Sequence, residues 1–131
     1  ERSRGLGDVY KRQPYTCFMA KSSWIEKHET EVDGFLRAVT KAVKYIIETP
    51  SETAAPYLLP YFESTPVESI AVSLDSYREI DAWMTNLAMT EDSFTRLQDI
   101  IDNAGELDHR VDFSDLVDTS YANEAYKDVY N

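Results

Sequence analysis

Cysteine is nearly absent from this chain, and that limits its chemistry first. Cys17 is the only one in 131 residues, beside two histidines, His28 and His109. One thiol cannot close an internal disulfide, and one Cys with two sequence-distant His does not make a zinc site. In the run Tyr15-Thr16-Cys17-Phe18-Met19-Ala20 it reads as a small hydrophobe in a buried strand. Basic charge is also scarce. Thirteen Lys and Arg stand against twenty-four Asp and Glu, for a net charge of −11. Such a surface repels phosphate backbones, which nucleic-acid binders neutralise with clustered Lys and Arg, so nucleic acid is excluded as a partner. No apolar run reaches the roughly 18 residues a membrane helix needs. Glycine-rich phosphate loops are missing, as are GxSxG and HExxH. No catalytic residue, metal site or cofactor is expected. The acidic side chains fall on helix exteriors and in first turns, where they suit solvent and the helix dipole.

What is present argues for a folded, mostly helical chain. The apolar fraction of 43%, with nine Tyr and two Trp, is too high for a disordered one. Residues 1–13 stand apart. Asp8-Val9-Tyr10-Lys11-Arg12-Gln13 is what GAT GTG TAT AAG AGA CAG encodes, the mosaic end of a transposon-based sequencing adapter. We read 1–13 as a translated adapter artefact, to be kept out of fold reasoning. Without its four basic and two acidic residues the net charge becomes −13. The natural sequence then starts near Pro14, inside a longer reading frame, and 14–131 forms the C-terminal portion of a larger domain.

Along 14–131 the pattern predicts one strand over 15–20, then five or six helices. Ser23-Trp24-Ile25-Glu26 has the form of a capping box. Val32, Phe35, Leu36, Val39, Ala42, Val43 and Ile46 mark one apolar face of a helix over 29–48. Thr49-Pro50-Ser51-Glu52 and Thr65-Pro66-Val67-Glu68 read as two more helix starts, with Thr as cap and Pro at the first helical position. The first of these helices is short, because Pro56 lacks an N–H. The second carries Val67, Ile70, Ala71, Leu74 and Tyr77 inward and runs to about Trp83. Thr90 caps a helix with Phe94, Leu97, Ile100 and Ile101 inward, and Gly105 supplies its left-handed stop. Phe113, Leu116 and Val117 form a small anchor, and a last helix turns Tyr121, Ala125 and Val129 inward. A lone buried strand cannot satisfy its own backbone groups. That supports a fragment of an α/β protein; the plainer alternative is a free-standing helical module.

Several stretches follow one another in a recognisable order: Phe18-Met19-Ala20, Phe35-Leu36-Arg37-Ala38, Tyr61-Phe62, Tyr77-Arg78-Glu79-Ile80-Asp81-Ala82-Trp83, Thr90-Glu91-Asp92-Ser93-Phe94, Asn103-Ala104-Gly105-Glu106-Leu107 and Leu116-Val117-Asp118. This ordered set resembles the C-terminal part of the solute-binding proteins of ABC importers, in the branch that binds thiamine-pyrimidine precursors, alkanesulfonates and nitrate. One departure is His28-Glu29, where such proteins often have Asn-Pro. The resemblance implies part of a two-lobed α/β fold of the type II periplasmic-binding-protein kind. It implies non-catalytic capture of a planar heteroaromatic or small anionic solute. It also implies ABC permease subunits as partners, the missing N-terminal part of the same protein, and an extracytoplasmic, often lipid-anchored, bacterial location. A thiamine-pyrimidine synthase on the same fold is the enzymatic alternative. The candidate ligand residues are Tyr15 and Thr16, at the start of the expected strand, with Tyr77 and Trp83 on the expected crossing helix.

Overall fold

The computed structural model describes residues 16–131; the expectations for 1–13, and for Tyr15, lie outside them. Seven α-helices and one 3₁₀ turn follow in order: α1 (Ser22–Ile25), α2 (Glu29–Glu48), α3 (Ser51–Leu58), the 3₁₀ turn (Leu59–Tyr61), α4 (Val67–Glu79), α5 (Glu91–Asn103), α6 (Phe113–Leu116) and α7 (Ser120–Tyr130). The mostly helical class holds. The strand does not: residues 16–20 are irregular and exposed, and no strand forms among the described residues. No neighbouring strand is present there to take up its backbone groups. Cys17 is accordingly exposed rather than buried.

Helix pairs build the molecule. α3 packs on α4, α2 on α7 and α5 on α6. The largest apolar cluster is Ala54, Ala55, Ile70, Ala71 and Leu74, with Ile46, Leu58, Val67 and Trp83 against it. Alanines on α3 let it approach α4 closely. Pro56 stays inside α3 at the loss of one intrahelical bond, and the chain then tightens into the 3₁₀ turn. A second contact layer lies between α2 and α7, where Thr40, Ala122 and Ala125 are buried. Thr40 can sit inside because its hydroxyl donates to the Leu36 carbonyl at 2.8 Å.

The helix boundaries differ from the sequence reading in instructive ways. Thr90 caps α5 as expected, its Oγ1 accepting the Ser93 N–H at 3.2 Å. Thr49 and Thr65 do not cap. Pro50 and Pro66 hold the N-cap positions with no side-chain bond, and Thr49 closes α2 instead. The Ser23 box does not form either; Lys21 stands at the N-cap of a single turn. α4 stops at Glu79, short of Trp83. There Asp81 takes a left-handed φ of 54°. Its N–H meets the Arg78 carbonyl and the Ala82 N–H meets the Tyr77 carbonyl, both at 2.9 Å. This is a Schellman stop with Asp where Gly is usual. Gly105 ends α5 the same way at φ 73°, as expected.

Side chains tie the pieces together. Arg78 on α4 donates through Nη2 to the carbonyls of both Ile46 and Thr49, at the open end of α2. Its neighbour Asp75 accepts from the buried Ser51 hydroxyl at 2.5 Å. Arg37 on α2 pairs with Asp33 on its own helix and reaches Asp128 on α7 at 3.4 Å. On α5, Gln98 holds both backbone groups of Val111 in the loop that follows, accepting its N–H at 2.8 Å and donating to its carbonyl at 3.1 Å. Arg110 adds contacts to Asp99 at 2.7 Å and Asp102 at 2.9 Å. The loop therefore folds back and delivers Phe113 edge-on to Phe94, 5.7 Å between ring centres. Leu116, expected in that anchor, is 67% exposed.

Candidate functional site

Of the four expected ligand residues, the structure brings two together, Tyr77 and Trp83. Tyr15 lies outside the described residues. Thr16 is exposed in the irregular N-terminal segment, and Phe18 two positions on packs edge-on against Phe35 of α2. Tyr77 and Trp83 do come together, ring centres 5.6 Å apart, because the Schellman stop folds the chain back over the end of α4. Their roles differ. Trp83 packs on the Ile70 and Leu74 cluster, with its indole N–H buried and unpartnered. Tyr77, the expected continuation of the apolar stripe, is 52% exposed. Trp83 is thus a packing residue in this structure, and Tyr77 shields one side of its ring.

The segment after Trp83 leads to an open cleft of about 360 Å³. Its apolar lining comes from Met84 and Met89 on the connection and Phe113 at the start of α6; Asn86, Thr119 and Asn123 supply polar groups. The size falls within the usual range for small-molecule sites. Thioethers and an aromatic edge give an adaptable apolar wall. Three groups fix the polar side. Asn86 Oδ1 accepts the Ala88 N–H at 2.9 Å, and Asn86 Nδ2 donates to Asn123 Oδ1 at 3.1 Å. Thr90, at the rim, is committed to Ser93 through both of its hydroxyl bonds. Glu91 places an exposed carboxylate beside it.

A second open groove, about 430 Å³, lies between α2 and α7. Glu29, Thr30, Asp33, Tyr121 and Glu124 line it. Desolvation first, then the charges of Glu29, Asp118 and Asp33, pushes the Tyr121 phenol up from its ordinary value. Among the described residues no group of three His, Cys, Asp or Glu is placed to hold a metal ion. No described helix is long and apolar enough to cross a membrane.

The amides of the first cleft escaped the sequence reading. Asn86 and Asn123 stand 37 positions apart, on a loop and in the first turn of a helix, and neither belongs to a periodic pattern or motif. Nothing in the local sequence around either residue marks the pair.

Compared with known proteins, the chain is similar to one from Bacillus subtilis (strain 168) named "Putative binding protein YtlA". They are 27% identical over 117 residues, which is 89% of this chain and 35% of that protein. The chain therefore spans about a third of that relative's length. No protein-family model matches the chain, and no solved structure matches it.

Proposed function

We propose that this chain is the C-terminal portion of a bacterial solute-binding protein, which captures a small solute outside the cytoplasmic membrane and passes it to the permease of an ABC importer. The observation that carries the reading is the collinear similarity, across 89% of the chain, to a protein named as a binding protein. The ordered resemblance of the 77–107 stretch to importer binding proteins supplies the finer class.

The surface supports a missing partner. Phe35, Ala38, Ala42 and Tyr45 follow i, i+3, i+7, i+10 spacing, so they form one stripe on α2, and all four are exposed. Phe18 extends the stripe at one end through Phe35, and Tyr57 at the other through Tyr45, 5.9 Å between ring centres. Tyr57 is 70% exposed. α2 thus has one apolar face against α7 and another uncovered, as a helix does when it belongs between two layers. In this reading the remainder of a longer protein covers the stripe and provides most of the solute cleft.

The test is to recover the complete reading frame from the parent DNA, express its product and identify co-purifying solute by mass spectrometry after denaturation. Expected is a frame of roughly three times this length, with an export signal and a stoichiometric small molecule. A start codon immediately before Pro14, giving a monomeric, sharply melting product that carries no solute, refutes the proposal.

A further inference from the structure

The amide chain in the 84–91 cleft has a direction, and the direction specifies a ligand. An asparagine amide has one acceptor end and one donor end. The Ala88 N–H can only donate, so it fixes Oδ1 of Asn86 toward itself. Nδ2 of Asn86 must then donate, and it meets Oδ1 of Asn123 at 3.1 Å. Asn123 is thereby locked, with its acceptor facing Asn86. Its Nδ2 is left as the free end of the chain, with no protein partner among the described residues. A backbone N–H, through two side-chain amides, so leaves a donor at the end of the chain on Asn123, a residue that lines the cleft together with Met84, Met89 and Phe113. Hydrogen bonds linked in series polarise one another, which strengthens the terminal donor.

From this geometry we infer that the cleft between the 84–91 connection and the start of α7 binds a small, uncharged, flat molecule through a hydrogen-bond acceptor, such as a lactam carbonyl or a heteroaromatic ring nitrogen, held by Nδ2 of Asn123. The apolar wall favours a flat ring. The Glu91 carboxylate at the rim and the chain's net charge of −11 disfavour an anionic acceptor. The site is separate from Tyr77 and Trp83 and does not depend on the solute-capture reading.

Reversal of the chain is the decisive perturbation. Asn86→Asp puts a carboxylate where the amide stood. One oxygen still accepts the Ala88 N–H; the other can only accept, so Asn123 must turn its Nδ2 inward and its carbonyl toward the cleft. Ligand-observed saturation-transfer NMR on the 131-residue chain, at about 10 μM, works even if the protein self-associates. Pyridine N-oxide, a neutral flat acceptor, and pyrrole, a flat donor, are the probes, with benzoate as the anionic control. The wild-type chain is expected to give a saturable signal with pyridine N-oxide, about three- to tenfold stronger than with pyrrole or benzoate, the ratio one hydrogen bond supports. Asn86→Asp is expected to reverse the order of the two neutral probes. Asn123→Leu, matched to wild type by circular dichroism, removes the preference and serves if Asn86→Asp fails to fold. The inference is overturned if pyridine N-oxide gives no saturable signal, if benzoate matches it, or if the preference survives in a folded variant.

Discussion

Removing the Arg78 guanidinium is expected to loosen the join between α2 and α4. Its Nη2 donates to the carbonyls of Ile46 and Thr49, two of the acceptors that every helix leaves open at its C-terminus. A hydrogen bond from a charged donor is worth about 1.5–3 kcal/mol net. The two bonds share one nitrogen and the carbonyls regain some water when the side chain is cut, so the pair does not add in full. Arg78→Met keeps the apolar stem and removes only the donors, and a loss of about 2–3 kcal/mol is expected on that reasoning. Arg78→Lys keeps the charge near the end of α2 but presents a point charge in place of a planar fork, so about half the loss is expected. Urea unfolding followed by circular dichroism at 222 nm reads both. With a slope of about 1.5 kcal/mol/M, Arg78→Met moves the midpoint down by about 1–2 M. Were the interaction only a helix-dipole effect, the loss would stay near or below about 1 kcal/mol, the lysine variant would match wild type, and salt would erase the difference. A loss under about 0.5 kcal/mol for Arg78→Met refutes the hydrogen-bonded join altogether.

Other perturbations have equally definite outcomes. Thr90→Ala removes the one side-chain cap among the described helices, and a loss of about 1 kcal/mol in the same urea assay is expected, with Thr90→Ser close to wild type. Asp81→Gly relieves a left-handed residue; the relief exceeds the added freedom of the unfolded chain, so stability rises by about 0.5 kcal/mol, while Asp81→Val lowers it by about 1 kcal/mol or more. Tyr121 is expected to titrate above the ordinary value of about 10 for a tyrosine, followed through its ring carbon shifts by NMR. Since the folded value is the higher one, its contribution to stability is complete below about pH 10 and is lost as pH rises through the raised value. A midpoint at or below the ordinary value contradicts desolvation and neighbouring carboxylates as forces acting on this phenol.

Periodicity located the long helices well, because an amphipathic face repeats many times over 13 to 20 residues. α2 and α5 lie where the apolar spacing put them, and α4 begins there but ends at Glu79, short of Trp83. Single-residue signals fared less evenly. Gly105 and Thr90 do what their chemistry suggests, but Thr49 and Thr65 lost their cap positions to the prolines that follow, since a proline carbonyl can accept the first helical N–H as well as any other. The buried side of α2 was misread by a fraction of a turn. Thr40 satisfies its hydroxyl on its own helix and goes inside, while Phe35 and Ala42 stay out. Of the candidate ligand residues, the Tyr77 and Trp83 contact depended on a turn at Asp81 that propensity does not favour, and Thr16 depended on a strand whose neighbours are absent among the described residues. The Asn86–Asn123 amides were illegible for a simpler reason: a tertiary hydrogen bond between residues 37 apart leaves no mark on local pattern.

Arg78 also shapes how this protein can drift. The two groups its Nη2 holds at the end of α2 are main-chain carbonyls, which every amino acid carries. Positions 46 and 49 are therefore free to change identity as far as this contact is concerned, whereas position 78 has no full substitute. The dependence is one-sided. Among diverged descendants it would leave an unchanging arginine with no change at 46 or 49 accompanying it, so methods that find contacts from paired changes would pass over the join that closes the end of the longest helix.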